Sequence, residues 1–411
     1  MDFNKCTLIK VLSSFVLPLC FTCLIPSAAF SSSLNLEWKA EFGGKKVETG
    51  TVTIPAVDGG FLLVGEAESE YLKGNGKKDI YVVKMNATGL ETWEKYYGGY
   101  GDDIGTFVRA TSDGGYIIGG SSRSNWNDNR NMLLVKISAE GKLQWKKEYP
   151  AEPNLTSEGL NDDEIIYIRE EADGYTILGN KKSTDTIGGD IFLIKVNGQG
   201  GVEWRKTIGG REDEKAVSLQ DTPDGGYLIV GYGALSSETG YDIYLSKTDS
   251  HGKVEWSKSL GGKGWDISTV TAPTSDGGYL IGGQSSSGND GLFSGYLAKV
   301  NSEGNLLWQQ VMPAYVCTLI ETIVPTDKGI ELTGWLESGT GYDFVRILTD
   351  ETGVISSTDL INNEQWSKPF AVTAVDKGAY IVTGYVVDKP GYRYWLNKQE
   401  QAYVAKIKFA K

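Results

Sequence analysis

Short runs of alternating apolar and polar residues, separated by turn signals, fill the chain from about residue 35 onward. The clearest copy begins at Asp224, and the pattern restarts at Asp276. This copy contains three short apolar runs and one tryptophan-centred run. Alternation predicts half-buried β-strands, and clusters of Gly, Asn and Asp predict the turns between them. One copy therefore predicts a unit of four strands.

The Asp-Gly or Asp-Lys-Gly turn of this unit recurs along the whole chain. Its aspartates are Asp58, Asp113, Asp173, Asp224, Asp276, Asp327 and Asp376. Seven copies of an all-strand unit, about 50 to 60 residues apart, are typical of radial repeat folds. The sequence therefore predicts an all-β chain that folds as a seven-bladed β-propeller of four-stranded blades.

The two ends of the repeat region predict how the ring closes. The last copy stops after the strand of residues 402–409 and lacks a tryptophan run. An orphan tryptophan run, residues 36–39, precedes the first copy and leads to Phe42. We expect this N-terminal strand to complete the last blade, because the pairing would remove an open sheet edge.

Residues 1–33 do not belong to the repeats. Lys5 and Lys10 precede an apolar stretch that ends in small residues around Ala29. A basic start, an apolar centre and a small-residue end predict a cleaved signal peptide. An uncleaved N-terminal anchor is the alternative, because the stretch approaches membrane-spanning length. We expect an exported protein, extracellular or at the cell surface, with the β-propeller domain over residues 34–411.

Composition narrows the chemistry of the mature chain. Cys317 is the only cysteine beyond residue 33, so no internal disulfide can form. The single histidine, His251, lies in a turn, which makes a zinc site or a Ser-His-Asp triad hard to build. The formal net charge of −13 disfavours nucleic acid and anionic membranes. We expect a monomer with no membrane span, metal or cofactor.

In five copies a tryptophan follows a turn glycine by four residues. These tryptophans are Trp93, Trp145, Trp204, Trp256 and Trp308, and the sixth copy has Ser357 instead. The arrangement resembles the tryptophan-docking turn of quinoprotein-type propeller repeats. From about residue 35 the chain also resembles the Asp-Gly-Gly-Tyr repeat propellers on secreted and surface proteins of archaea and bacteria. The resemblance implies tryptophans packed between blades, but one propeller hosts many activities.

If the strands of a blade are lettered a to d from inside to outside, the a–b and c–d turns share one face. They are short and nearly constant, whereas the b–c and d–a connections on the other face vary widely in length. Length variation on one face of a repeat array indicates the recognition side. A lysine column on strand c, including Lys84 and Lys247, is expected to form inter-blade or surface pairs.

Five carboxylates occupy one repeat position, at the start of strand a. They are Glu48, Asp103, Asp163, Glu214 and Asp266. This position predicts an acidic ring at the mouth of the central channel. The favoured interpretation is structural, with each carboxylate accepting backbone N–H bonds where the strand begins. The alternative is a site for a cation or a cationic ligand.

Five tryptophans do not occupy a repeated position and lie in or beside the variable connections. They are Trp126, Trp265, Trp335, Trp366 and Trp395. Aromatics on an exposed face supply apolar area with a polar handle, which suits sugars or a protein partner. The alternative is that each ring packs onto its own loop.

Three classes of function remain open. A binding module needs only the fold, export and an aromatic-rich face, and its ligand would be a glycan or a cell-surface protein. A purely structural envelope component needs less. A glycoside-active propeller needs a placed pair of carboxylates. A quinone enzyme of the type resembled would be expected to carry adjacent disulfide cysteines, and the mature chain has one cysteine. We interpret the chain as a non-enzymatic extracellular binding propeller.

Overall fold

The computed structural model describes the chain as strands joined by turns. It describes residues 34–43, 47–68, 78–99, 101–123, 130–150, 163–182, 189–210, 212–236, 240–289, 291–314, 316–338, 341–361, 368–376, 378–387 and 400–409. The segment predicted as a signal peptide, Trp126, Trp366 and Trp395 lie outside this part. Within the described ranges no helix is long and apolar enough to cross a membrane.

The strands follow one another in seven groups, preceded by β1 (Leu34–Phe42). Blade 1 contains β2 (Glu48–Pro55), β3 (Phe61–Glu68), β4 (Lys78–Met85) and β5 (Glu91–Tyr97). Blade 2 contains β6 (Asp103–Ala110), β7 (Tyr116–Ser122), β8 (Asn131–Ile137) and β9 (Leu143–Tyr149). Blade 3 contains β10 (Glu164–Glu171), β11 (Gly174–Lys182), β12 (Gly189–Asn197) and β13 (Val202–Ile208).

The same grouping continues to the end of the chain. Blade 4 contains β14 (Glu214–Asp221), β15 (Tyr227–Ser236), β16 (Gly240–Thr248) and β17 (Val254–Leu260). Blade 5 contains β18 (Asp266–Pro273), β19 (Tyr279–Asn289), β20 (Leu292–Val300) and β21 (Leu306–Val311). Blade 6 contains β22 (Leu319–Thr326), β23 (Gly329–Ser338), β24 (Gly341–Thr349) and β25 (Ile355–Ile361). Blade 7 contains β26 (Lys368–Asp376), β27 (Ala379–Val387) and β28 (Glu400–Phe409).

Blades 1 to 6 each form one antiparallel sheet of four strands in the order a, b, c, d, and the three strands of blade 7 form the seventh sheet together with β1. The a strands of neighbouring blades contact one another around a closed ring, in which β2 contacts both β6 and β26. The a strands therefore surround the central axis, and the d strands lie at the periphery. The predicted all-β, seven-bladed propeller of four-stranded blades is confirmed.

The N-terminal strand closes the ring. Strand β1 pairs antiparallel with β28, from Leu34 opposite Phe409 to Phe42 opposite Ala402. It is therefore strand d of blade 7, and the sheet order is β1, β28, β27, β26. The predicted completion of the last blade by the N-terminal strand is confirmed.

The core lies between neighbouring blades. In β4 every residue after Lys78 is buried, because both faces of the sheet are covered by other blades. Leu62 and Val82 of blade 1, for example, belong to the same apolar cluster as Ile118 and Leu133 of blade 2. Strands covered on both faces read as continuous apolar runs, which explains the pattern of strands b and c.

A lysine from strand c holds the a–b turn in five blades. In blade 1 the Lys84 Nζ lies 2.7 Å from Asp58 Oδ2, and Asp58 Oδ1 accepts the Gly60 N–H at 3.1 Å. Gly59 has a φ of 82°, which glycine adopts at little cost. The equivalent pairs are Lys136–Asp113, Lys195–Asp173, Lys247–Asp224 and Lys299–Asp276. The lysine column thus pairs within blades, with turn aspartates whose side chains are half exposed or more. Of the two expected kinds of pairing, surface pairs form and inter-blade pairs do not, because lysine and turn belong to one sheet.

The tryptophan of each strand d packs against the c–d turn of the next blade. A Cβ added at Gly141 of blade 2 would lie 2.9 Å from the Trp93 ring of blade 1, so a larger residue would displace the ring. The contact recurs as Trp38–Gly89, Trp93–Gly141, Trp145–Gly200, Trp204–Gly252, Trp256–Gly304 and Trp308–Gly353. These six contacts lead from blade 7 through blade 1 to blade 6.

The junction of blades 6 and 7 is built differently. Strand β25 has Ser357 at the tryptophan position, and blade 7 has no c–d turn because its strand d is β1. An aromatic cluster fills the junction, with Phe344 of blade 6 beside Tyr380 and Phe409 of blade 7. This junction therefore depends on side chains that the repeat pattern does not contain.

Candidate functional site

The five carboxylates of the predicted acidic ring lie buried at the start of strand a. Their side chains are between 0 and 5 % exposed. In three blades the carboxylate accepts a backbone N–H from the turn before it: Gly99 to Asp103 at 2.6 Å, Gly262 to Asp266 at 2.8 Å, and Gly210 to Glu214. Each such bond satisfies a backbone donor where the strand begins, as carboxylates commonly do.

A second carboxylate, from strand c of the preceding blade, approaches three members of this ring. The glycine that ends strand d lies between the two acids. A Cβ added at Gly209 would lie 2.7 Å from Asp190 Oδ1 and 2.9 Å from Glu214 Oε2. The equivalent glycines, Gly98 and Gly261, lie between Asp79 and Asp103 and between Asp242 and Asp266. The ring therefore forms acid pairs at blade junctions.

Burial and a neighbouring carboxylate raise the pKa of one acid in two of these pairs. Burial raises the pKa of Glu214, and the neighbouring Asp190 raises it further against the hydrogen bond from Gly210. Burial likewise raises the pKa of Asp242, with Asp266 adding to the effect. Two like charges in one buried site disfavour ionisation of both. These acids lie buried at the junctions between neighbouring blades.

Other residues with catalytic potential lie in ordinary surroundings. Cys317 is buried, and burial raises the pKa of its thiol to about 12, which makes it an inert thiol. His251 lies exposed in the c–d turn of blade 4, where its Nδ1 is 3.2 Å from Ser250 Oγ. In the part of the chain that the structure describes, no three His, Cys, Asp or Glu side chains are grouped to hold a metal ion.

Two of the five non-repeating tryptophans fall within the described residues, and their environments differ. Trp265 is 36 % exposed, in the connection between blades 4 and 5. Trp335 is only 4 % exposed, because it lies in β23 opposite Leu319 with its ring 5.3 Å from that of Phe344. Trp335 is therefore part of the core and leaves the candidate binding surface.

Trp265 continues a row of aromatic rings on the face that carries the variable connections. The Tyr241 ring lies 5.0 Å from the Trp265 ring and 5.7 Å from that of Tyr232. Both tyrosines come from the b–c hairpin of blade 4 and are half-buried. We call these three residues, Tyr232, Tyr241 and Trp265, the aromatic surface.

Hydrogen bonds hold the aromatic surface in position. The Trp265 N–H donates to Ser286 Oγ, and the Trp265 carbonyl accepts the Ser286 N–H, both at 2.8 Å. The Tyr241 hydroxyl donates to Asp213 Oδ2 at 2.6 Å, while Asp213 Oδ1 accepts the Gly189 N–H of blade 3 at 2.5 Å. The surface therefore lies on blade 4 and its connection to blade 5, and hydrogen bonds hold it in position.

Sequence reasoning missed Tyr232 and Tyr241. Tyr241 contacts Trp265, and Tyr232 contacts Tyr241, through the fold, and such proximity across two blades is not visible in the chain. The available signal was a b–c connection with a tyrosine on each side, followed by Trp265 in the next connection of the same face.

The central channel contains one unusual titratable group. All seven a strands have a bulge at the same position, and the bulged residues are half-buried. They are Thr51, Thr106, Ile166, Val217, Thr269, Glu321 and Phe370. Glu321 alone is ionisable, and burial raises the pKa of its carboxyl to about 7. Glu321 is thus the one ionisable residue among the seven bulged positions.

The fold and this surface define a class: a seven-bladed β-propeller with a partly exposed aromatic row on its variable face. No family model matches the sequence, and no curated protein does. Among solved structures, a protein from Lactobacillus plantarum is similar with a TM-score of 0.50 and 13 % identity, over 85 % of this chain and 99 % of that one. At that identity the similarity shows the fold alone.

Two further solved structures are similar. The β-propeller domain of the Trilobed protease from Pyrococcus furiosus has a TM-score of 0.46 and 10 % identity, over 88 % of this chain and 94 % of that chain. Puromycin hydrolase has a TM-score of 0.46 and 14 % identity, over 86 % of this chain. The chain spans 55 % of the length of puromycin hydrolase.

Proposed function

We propose that this chain is an exported binding module that recognises a polysaccharide through the aromatic surface. The observation that carries the proposal is the row formed by Tyr232, Tyr241 and Trp265, with ring centres 5.0 and 5.7 Å apart. Aromatic rings offer flat apolar faces with a polar edge, which suits the faces and hydroxyl groups of sugar rings. A neighbouring carboxylate, Asp213, adds an acceptor for sugar hydroxyls.

The hydrogen bonds that fix the aromatic surface support a preorganised binding site. Backbone bonds to Ser286 fix Trp265, and Asp213 fixes Tyr241. A surface ordered before binding loses less conformational entropy when a ligand arrives. A repetitive polysaccharide, with several sugar rings in a line, matches a row of several aromatic rings.

Export and ancestry are parts of the same proposal. The signal-like segment of residues 1–33 supports export to the extracellular space or the cell surface. The six tryptophan–glycine contacts between blades support a relationship to tryptophan-docking repeats. We propose that the protein acts as a monomer without a cofactor, and that its partner is a glycan rather than a cell-surface protein.

The burial of the acidic ring favours a binding module over a glycoside-active enzyme. Asp103 and Asp163 have no exposed surface, and the members of the ring are directed at blade junctions. A glycosidase acid or nucleophile must contact the sugar. A purely structural envelope component would make no use of an exposed, prearranged aromatic row.

A glycan array probed with the purified protein, followed by calorimetric titration of the glycans retained, tests the proposal. Trp265→Ala and Tyr241→Ala should each weaken binding, because each removes a stacking face. The matched control is Phe293→Ala, since Phe293 is also 36 % exposed and lies in the b–c hairpin of the neighbouring blade 5. Far-UV circular dichroism verifies that all three variants remain folded.

Equal binding by the parent and both aromatic-surface variants would refute the assignment of the site. An array on which no glycan is retained, together with capture of a purified cell-surface protein that Trp265→Ala abolishes, would replace the glycan by a protein ligand at the same surface.

A further inference from the structure

A cavity lies at the junction of blades 6 and 7, on the face that carries the a–b turns and opposite the aromatic surface. Its volume is about 400 Å³. Val324 of blade 6 and Val375 of blade 7 contribute apolar walls, and Asp327 and Asp376 contribute carboxylates from the two a–b turns. The cavity therefore combines apolar walls with two acids, in the size range of ordinary ligand pockets.

The cavity occurs where the repeated packing is interrupted. At six junctions a tryptophan of one blade meets a turn glycine of the next, but the junction of blades 6 and 7 has Ser357 and no c–d turn in blade 7. The cavity lies beside the a–b turns of this irregular junction.

The two acids of the cavity also lack the lysine that the other turns have. The strand register places Leu348 of blade 6 where blade 1 has Lys84. In blade 7 the equivalent Lys406 is engaged elsewhere, with its Nζ 2.9 Å from Glu37 Oε2. Among the described residues, therefore, neither Asp327 nor Asp376 has a lysine partner.

The a–b turns of blades 1 to 5 show which chemical group such a turn binds. In each of them an aspartate contacts the ammonium at the end of a four-carbon chain, at distances from 2.5 to 2.8 Å. The alkyl chain crosses strand b of its own blade and is itself buried, as in Lys84 and Lys136. Lysine chains pack their methylene groups on apolar surface while the ammonium reaches a polar partner.

We propose that the cavity between blades 6 and 7 binds a primary alkylammonium group, the side chain of a lysine on a partner protein. The ligand's ammonium lies between Asp327 and Asp376, and its methylene groups contact Val324 and Val375. A partner's lysine thus supplies the interaction that the chain's own lysine supplies in five other blades. The site is separate from the aromatic surface and does not depend on its ligand.

The remaining polar groups of the cavity are already engaged, which leaves the two aspartates to bind the ammonium. Glu331 accepts hydrogen bonds from Arg346 Nε at 2.8 Å and from the Tyr380 hydroxyl. The Arg346 guanidinium also reaches Asp359 at 3.1 Å. Glu331 therefore already has a cationic partner in Arg346, whereas among the described residues no lysine contacts the aspartates at the rim.

Methyl NMR of the purified protein tests the proposal with a defined probe. The probe is N-α-acetyl-lysine methylamide, and its neutral control is the same molecule acetylated at the ε-nitrogen. We expect saturable shifts of the Val324 and Val375 methyl signals with the lysine probe only, at millimolar concentrations. The double variant Asp327→Asn/Asp376→Asn should weaken binding about fivefold or more, because each exposed ion pair contributes up to about 1 kcal/mol.

A lysine introduced at position 348 gives the most direct test of the proposal. Leu348→Lys restores the lysine column and should compete with the probe, so that binding weakens and the melting temperature rises. Leu348→Met, of similar volume and without charge, is the matched control and should bind the probe as the parent does. Equal shifts with the ε-acetylated probe, undiminished binding by the double asparagine variant, or no methyl shifts at all would each overturn the proposal.

Discussion

The guanidinium carbon of Arg346, in blade 6, lies 4.6 Å from the centre of the Phe409 ring in blade 7. This contact joins the two blades that no tryptophan–glycine contact connects. Phe409 lies at the end of β28 and packs against Phe344 and Tyr380 as well. A cation placed over an aromatic face contributes about 1 to 2 kcal/mol when partly desolvated. The irregular junction is therefore stabilised by a few strong side-chain contacts.

Arg346→Met should lower the free energy of unfolding by about 2 kcal/mol, because it removes the contact with Phe409 and leaves Glu331 buried without its cation. Arg205→Met, which removes an arginine from the outer strand of blade 3, should cost much less. Denaturant titration of both variants measures the difference. Equal losses would mean that Arg346 has no special part in joining blades 6 and 7.

Removal of residues 34–42 should lower the melting temperature sharply and cause association through the exposed edge of β28. The deletion removes strand d of blade 7 and the contact between Trp38 and Gly89. Glu37→Gln, which breaks only the half-exposed ion pair with Lys406, should cost at most about 1 kcal/mol. Calorimetry and light scattering check both results, and unchanged melting of the deletion would contradict the closing role of β1.

Trp204→Ala should destabilise the fold by about 3 kcal/mol, because its ring packs on the turn of blade 4 and contributes to an apolar cluster. Trp265→Ala should cost far less, since that ring is 36 % exposed. Chemical denaturation gives both values. Similar losses at the two positions would refute the distinction between repeat tryptophans and surface tryptophans.

The pair formed by a strand-c lysine and the aspartate of the a–b turn, here called the lysine clamp, should lose different amounts of stability when its two partners are removed separately. Asp113→Asn leaves the nearly buried ammonium of Lys136 without its carboxylate and should cost about 2 kcal/mol. Lys136→Met leaves Asp113, whose side chain is about half exposed, and should cost less because water solvates the free carboxylate. A double-mutant cycle by urea denaturation separates the interaction from the individual losses.

The lysine clamp of Asp113 and Lys136 should stabilise the fold less at acidic pH. Burial alone would raise the pKa of Asp113, but the hydrogen bonds from Lys136 and Thr111 outweigh it and lower the pKa from 3.8 to about 2. A depressed folded-state pKa means that the stabilisation is present above pH 3.8 and is lost as the pH falls towards 2. Asp113→Asn should flatten this part of the stability profile, which a pH series of thermal melts records.

Glu321 should have the opposite effect near neutral pH. Burial raises the pKa of its carboxyl from 4.5 to about 7, so the folded state binds this proton more tightly than the unfolded state. Stability from this group is present below pH 4.5 and is lost as the pH rises through 7. Glu321→Gln should remove this loss and raise stability at pH 8 by on the order of 2 kcal/mol. An identical pH profile for both proteins would contradict the burial of the carboxyl.

The sequence was sufficient to predict the architecture, because each repeat contains its own turn signals. The tryptophan run at residues 36–39 predicted how the ring closes. No strands of its own blade precede it, and the last repeat lacks a strand d, so the two were expected to pair. Strand order follows from the repeat, and Trp38 then occupies the same position as Trp93 in the next blade. Local patterns repeated seven times leave few alternative topologies.

The candidate site was only partly predictable. Trp335 was expected near an exposed connection, but β23 extends to Ser338, so Trp335 lies inside the sheet beside Phe344. Spacing along the chain does not reveal how far a strand continues or which blade covers a side chain. For the same reason Tyr241, which meets Trp265 only through the contact of two blades, was not identified from the sequence.

The pairing of β1 with β28 also imposes an order on synthesis. Residues 34–42 leave the ribosome before all seven blades, yet their strand partner, residues 402–409, is among the last segments to be made. Trp38 can meet the turn of blade 1 early, through its ring contact with Gly89 and its indole bond to Ala87. The backbone edge of β1 stays unpaired until then, and closing so long a loop is slow. A nascent chain therefore carries one unpaired strand edge until the last residues of the propeller are made.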